Sequence, residues 1–134
     1  MKTKYGFLIV FVLLISACRS PGGSNPADRF AGTWEGTMNF TDDASRKEDI
    51  IVTIPAGCVE GSVCGNLNNT TVSCVWEMTL DSVNGDVFQY KFSKTMSGEC
   101  PAMGGGNLTL NSDGSLFREH QTPDFTASGT LERQ

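Results

Sequence analysis

The most reactive side chains in the sequence belong to five cysteines and a single histidine. Apart from Cys18, the cysteines show no C-x-x-C spacing and no convincing arrangement with His120, which argues against a catalytic thiol. A Cys₄ zinc site is the competing interpretation of those four residues, but the spacing disfavours it. His120 lies beside Glu119 and near Asp124. Because no nucleophile or oxyanion donor can be assigned to them, this polar run is predicted to be an exposed loop.

Two acidic stretches carry oxygen atoms that calcium could use: Asp42-Asp43 and the run from Asp81 to Asp86. The longer one lacks the EF-hand spacing and its distal Glu, so turn formation explains both stretches. The net charge of −5 is unfavourable for nucleic-acid binding, because phosphate contacts need clustered Lys and Arg. We therefore expect no metal, no cofactor and no nucleic-acid partner.

The N-terminus has the pattern of a secretion signal. Lys2 and Lys4 precede an apolar stretch from Tyr5 to Ile15, which as a helix would rise only about 16 Å, too short for a hydrocarbon core of roughly 30 Å. A cleaved signal over residues 1–17 is therefore favoured. Ile15-Ser16-Ala17-Cys18 resembles the bacterial lipobox, which implies that Cys18 receives a diacylglycerol. An ordinary secretory signal with a chance Cys at the cut site is the alternative.

Residues 18–29 are predicted to form the lipidated Cys18 and a flexible tether, because Gly, Ser, Pro and Asn dominate and apolar periodicity is absent. Several acyl chains would anchor the protein stably in a membrane. Arg19 stands where an Asp often signals inner-membrane retention in Gram-negative lipoproteins. The expected location is thus the cell envelope, and the outer membrane if the host is Gram-negative. Loss of Lys2 and Lys4 with the signal leaves a net charge of −7.

Four cysteines remain in the exported part of the chain, an even number that is typical of a disulfide framework. Cys58 and Cys64 flank the small turn Glu60-Gly61-Ser62, which suggests a bridge across a hairpin. Cys74 then pairs with Cys100. On the chain-entropy model, the second bridge is worth roughly 3 kcal/mol.

Residues 30–134 are predicted to form one all-β domain. Period-2 alternation of apolar residues recurs between turn signals, which indicates about eight antiparallel strands. The clearest inward series are Trp34/Gly36/Met38/Phe40, Ile50/Val52/Ile54, Cys74/Trp76/Met78/Leu80, Phe88/Tyr90/Phe92, Leu108/Leu110 and Phe125/Ala127/Gly129/Leu131. Asn84-Gly85 and Asp113-Gly114 are type I′-like hairpin signals. A single meander that closes into a small barrel covers its own edges, and a β-sandwich is the alternative.

Aromatic side chains on the inward positions have two interpretations. Trp34, Trp76, Phe88 and Tyr90 either fill the core or line an apolar ligand pocket with a polar handle. Trp34 is expected to plug one end of the barrel against the closing strand Gly129-Thr130-Leu131.

The segment from Phe30 to Gly36, FAGTWEG, is similar to the opening of a short β-rich domain of bacterial lipoproteins and sensor-protein ectodomains. Further matches are Cys74, Gly98-Glu99-Cys100, Leu108-Thr109-Leu110 and the ending Gly129-Thr130-Leu131-Glu132-Arg133. The resemblance covers most of residues 30–133 and implies no settled biochemical activity. Trp76 stands where that pattern often has Gly, and the pair Cys58 and Cys64 is additional.

Gly32-Thr33-Trp34 also resembles the first-strand G-x-W of calycins such as lipocalins and avidins, in which the Trp closes one barrel end. A G-x-W opening, one disulfide and a flexible N-terminal trunk are similar to small barrel-shaped lipoproteins that inhibit peptidases. The sequence thus predicts a non-enzymatic, membrane-anchored barrel that binds a small molecule or an envelope protein at an open end. The alternatives are an inhibitor of a peptidase or lysozyme, a structural envelope lipoprotein and, third, an enzyme.

Overall fold

The computed structural model describes residues 23–98, 100 and 104–134, so the signal at 1–17 and Cys18 lie outside the described residues. A 3₁₀ helix (Pro26–Phe30) precedes eight strands: β1 (Gly32–Phe40), β2 (Lys47–Ile54), β3 (Val63–Asn69), β4 (Cys74–Asn84), β5 (Val87–Ser97), β6 (Gly105–Leu110), β7 (Leu116–Gln121) and β8 (Thr126–Arg133). No helix in these ranges is long and apolar enough to cross a membrane.

The strands form a closed antiparallel barrel in which each pairs with the next and β8 returns to β1. The closure is long, because β8 pairs with β1 from Trp34↔Arg133 to Phe40↔Ala127. Closure removes the exposed sheet edges that a short meander would otherwise leave. The predicted all-β meander of eight strands is confirmed.

The predicted inward faces form the core. Trp34, Met38, Val52, Met78 and Phe88 are at most 1% exposed, because alternate residues of each strand point to the barrel interior. Leu116 and Leu131 pair across β7 and β8 and are completely buried. The interior is therefore filled by side chains along most of the barrel.

One end of the barrel is closed by the 3₁₀ helix. Phe30 is fully buried against Phe88, with ring centroids 5.3 Å apart. The indole Nε1 of Trp34 donates to the Phe30 carbonyl at 2.9 Å, and the Arg133 guanidinium lies 4.2 Å above the indole. The prediction of a flexible tether through residue 29 is therefore wrong for residues 26–29, since Ala27 and Phe30 anchor this segment in the core.

The strand turns alternate between the two ends of the barrel. The connections after β2, β4 and β6 lie at the end with the 3₁₀ helix, here called the closed end. The connections after β1, β3, β5 and β7 lie at the opposite, open end. Since β1 runs from Trp34 at the closed end to Phe40 at the open end, every position along a strand has a defined depth in the barrel.

Both predicted hairpins exist, but neither turn is type I′. Asn84 pairs with Val87, so the central turn residues are Gly85 and Asp86, and only Gly85 has positive φ. Gly114, at φ 88°, follows a turn in which its amide donates to the Asn111 carbonyl at 3.0 Å. A type I′ turn requires positive φ at two successive residues, whereas each of these turns has a single glycine in that region.

Cys74 and Cys100 are joined by a disulfide, with Cα atoms 5.6 Å apart, which supports the predicted pairing. The predicted Cys58–Cys64 disulfide is not formed, and both residues are buried free thiols. Between them, Gly61 donates to the Leu80 carbonyl and Leu80 donates to the Ser62 carbonyl. The turn residues between the two cysteines therefore pair with β4.

Candidate functional site

The open end of the barrel contains a cavity of about 660 Å³. Part of its wall is apolar and is formed by inward residues of β1 to β4, namely Met38, Ile50, Leu67 and Trp76. Residues 122–125, which connect β7 and β8, form part of its rim. Ligand pockets are typically concave, mostly apolar and about 300–1,000 Å³ in volume. The dimensions and lining therefore fit a small organic molecule.

The four aromatic residues predicted as pocket or core divide between the two roles. Trp76 lines the cavity and packs against Phe92, with ring centroids 5.3 Å apart. Trp34 and Phe88 lie in the filled core towards the closed end. Tyr90 is also buried, and it does not line the cavity but positions a residue that does.

That residue is Arg118, whose side chain is buried inside the barrel. It is 3% exposed and lines the cavity. Its Nε donates to the Tyr90 hydroxyl at 2.8 Å. Gly106 leaves room for this contact, because a Cβ there would lie 2.8 Å from the Tyr90 hydroxyl. Within residues 23–98, 100 and 104–134, Arg118 forms no ion pair with a carboxylate.

His120 lies two residues further along β7, on the same inward face. It is 1% exposed, so the prediction of an exposed loop is wrong. Its Nδ1 faces the Gly105 carbonyl. A carbonyl oxygen only accepts hydrogen bonds, so Nδ1 carries the proton and Nε2 of the neutral ring is an acceptor. Nε2 is buried and has no hydrogen-bond partner in the part of the chain that the structure describes.

The environment of His120 keeps its ring neutral. Burial lowers the pKa of His120 below its ordinary value of 6.5, and the nearby charge of Arg118 lowers it further, while the hydrogen bond to Gly105 acts in the opposite direction. A buried imidazole that bears no charge is expected when a cation lies close to it. At neutral pH the cavity therefore presents an acceptor at His120 and a cationic donor group at Arg118.

A second polar group lies nearer the rim. Glu48 accepts from Arg46 Nε at 2.9 Å and Nη2 at 2.7 Å through one oxygen, and from Asn69 at 2.6 Å through the other. The Arg46 guanidinium also lies 3.8 Å above the Phe40 ring. Glu48 is therefore already neutralised and hydrogen-bonded, which sets it apart from Arg118.

Arg118, Glu48 and Asn69 were not predicted as site residues, although the period of two in their strands places them on inward positions. Arg118 and His120 continue the inward positions that begin at Leu116 in β7. Glu48 is in phase with Ile50, and Asn69 is in phase with Leu67. In each strand the apolar inward series becomes polar towards the open end, and this change in character along a constant phase was the available signal.

The other candidate residues have separate roles. Asp124 lies on the rim of the cavity that His120 lines, whereas Glu119 is exposed on the outer face and does not line it. Asp81 pairs with Lys91 at 2.6 Å, and Asp43 accepts from the Ser45 hydroxyl. Among the described residues no group of three or more metal-ligating side chains is assembled.

Comparisons with known proteins give no further identification. The chain matches no protein-family model, and no curated protein or solved structure is significantly similar to it.

Proposed function

We propose that the protein is a non-enzymatic binding protein that takes up a small molecule through the open end of its barrel. The observation that carries the proposal is His120, a residue of the cavity lining whose buried Nε2 has no hydrogen-bond partner among the described residues. Buried polar groups are nearly always hydrogen-bonded, and one without a partner needs an explanation. A bound ligand that donates to Nε2 would supply the missing hydrogen bond.

The same atom supports binding over catalysis. A histidine that activates a nucleophile is hydrogen-bonded to the hydroxyl or thiol it deprotonates. Within residues 23–98, 100 and 104–134, Nε2 of His120 has no such partner. Cys74, the cysteine that lines the cavity, is held in the disulfide with Cys100.

A ligand screen with a matched pair of variants tests this function. Small amphipathic compounds should raise the melting temperature, because a ligand that binds only the folded state stabilises it by mass action. Ala127 is 2% exposed and lines the cavity, whereas Ala44 is exposed in the β1–β2 connection. Ala127→Leu fills part of the cavity and should abolish the shift, while Ala44→Leu should retain it. Equal shifts in both variants, or no stabilising compound at all, would reject the site.

We also propose that Cys18 carries the membrane anchor suggested by the lipobox-like Ile15-Ser16-Ala17-Cys18, and that the barrel is calycin-like. Residues 18–25 span at most about 25 Å when extended, and the structured domain begins with the 3₁₀ helix at the closed end. The open end would then face away from an envelope membrane. Labelled palmitate should enter the wild-type protein and not Cys18→Ser, and an unlabelled wild type would refute the anchor.

A further inference from the structure

The geometry of the cavity points to a ligand class: we infer that the bound molecule is a monocarboxylic acid with an apolar body, and that Arg118 binds its carboxylate. This inference rests on the proposed binding function. It adds the charge of the ligand and the residue that recognises that charge.

The charge of Arg118 is the first argument. The residue is 3% exposed, and its guanidinium forms no ion pair with any carboxylate in the described part of the chain. A buried cation without a counter-ion is costly, and such groups are normally paired. An anionic ligand in the cavity would supply the pair.

The hydrogen bonding of Arg118 is the second argument. Its Nε is occupied by the Tyr90 hydroxyl, which fixes the plane of the guanidinium. No hydrogen bond from Nη1 or Nη2 to a described residue is formed. These two groups form a fork that matches the two oxygens of a carboxylate.

The remaining charges around the cavity set the charge of the ligand. Glu48 is neutralised by Arg46, and His120 is neutral. Asp124 on the rim is exposed to solvent. One cation is therefore left to be compensated, which favours a monoanion over a dianion such as a phosphate monoester.

The apolar wall of the cavity indicates that the part of the ligand beyond its carboxylate is apolar. Met38, Ile50, Leu67 and Trp76 lie on the same cavity as Arg118. Burial of apolar ligand surface against these side chains favours binding in proportion to the area removed from water. An unbranched alkyl carboxylate such as decanoate has both features and is a suitable probe.

Calorimetric titration with decanoate and decanamide tests the inference, because these ligands have nearly the same shape and differ in charge. Wild-type protein should bind decanoate about tenfold or more tightly than decanamide, as expected for a hydrogen bond between charged groups. Arg118→Met keeps a side chain of similar length and should remove this preference. Arg29→Met is the control, since Arg29 lies at the closed end and pairs with Asp86, and it should keep the preference.

The outcomes separate the inference from the function on which it rests. Equal affinity of wild-type protein for both probes would overturn the assignment of a carboxylate, and this result does not depend on whether Arg118→Met folds. A retained preference in folded Arg118→Met would overturn the role of Arg118. If other compounds stabilise the protein and decanoate does not bind, the ligand class is wrong and the binding function stands. If no compound binds, the function itself fails.

Discussion

The Nε of Arg118 donates to the hydroxyl of Tyr90 at 2.8 Å, and both side chains are buried within the barrel. They come from β7 and β5, which do not pair with each other in the barrel. The contact therefore passes over Gly106 of β6, the strand between them, and holds a cation in the wall of the cavity. An arrangement of this kind does not help to fill a core, because replacing buried charges by apolar groups is often neutral or stabilising.

The first prediction concerns this contact. Tyr90→Phe leaves a buried charged donor without its acceptor and should lower the free energy of unfolding by about 1–3 kcal/mol. In the background of Arg118→Met the same substitution should cost much less, because no donor remains to be satisfied. Urea denaturation of the four proteins measures both effects. Equal costs in the two backgrounds would show that the hydrogen bond contributes nothing.

The second prediction concerns pH. Burial lowers the pKa of His120 in the folded state below its ordinary value of 6.5. Below about pH 6.5 the unfolded state therefore binds more protons at this residue, so its contribution to stability is lost as the pH falls. His120→Gln does not titrate there and serves as the control. The stability of the wild type relative to that variant should fall between pH 7.5 and 5 in urea denaturation. A constant difference would contradict a buried neutral His120.

The third prediction concerns the closed end. Trp34→Ala removes a fully buried indole and should cost about 3–5 kcal/mol. Trp34→Phe leaves the Phe30 carbonyl without its donor. Its cost should nevertheless be smaller than that of Trp34→Ala, because it keeps most of the apolar burial. Urea denaturation measures the two costs. Trp34 does not line the cavity, so folded Trp34→Phe should still bind ligand in a decanoate titration. A Trp34→Phe variant that folds but no longer binds any ligand would contradict the separation of the two ends.

The fourth prediction concerns the cysteines. A peptide map without reduction should contain Cys74 linked to Cys100, with Cys58 and Cys64 unlinked. Burial and the hydrogen bond with Cys64 raise the pKa of Cys58 to about 12, so its thiol stays protonated at pH 8. Iodoacetamide should therefore label Cys58 only after unfolding, since the thiolate is the reactive form.

The fifth prediction compares the stability of variants at the bridged and at the free cysteines. Replacing Cys74 and Cys100 together by Ala should cost about 3 kcal/mol, because the crosslink closes a loop with a sequence separation of 26. Cys58→Ala removes no crosslink and should cost less. A map in which Cys58 is joined to Cys64, or rapid labelling of Cys58 in the folded protein, would contradict the free buried thiols.

The fold was largely predictable because strand phase in this chain is carried by large apolar residues. Ile50, Val52 and Ile54 alternate without interruption, and all three are buried as expected. The exact turn at Gly85 was not predictable from Asn84-Gly85, because the register with Val87 decides which residues become central. The 3₁₀ helix was missed because Phe30 and Ala27 are too few to produce a periodic signal.

The candidate site was less predictable for a physical reason. Arg118 and His120 are polar residues on inward positions, and polarity was taken as evidence of exposure. The period of two that starts at Leu116 predicts that both point into the barrel, whereas their polarity predicts exposure. Both residues are buried, so the prediction from the period is correct. Such a disagreement is expected at functional sites, where a sequence departs from the pattern that packing alone favours.

Amide chemical-shift mapping tests most directly whether the open end of the barrel binds a small molecule. The compound from the screen that raises the melting temperature most should be titrated into ¹⁵N-labelled protein. We predict that the shifts are confined to the open end, at Gly104, Asp124 and Ala127, and that Gly85 and Gly114 at the closed end do not move. Shifts centred on the closed end, or none at saturating compound, would contradict binding of a small molecule at the open end.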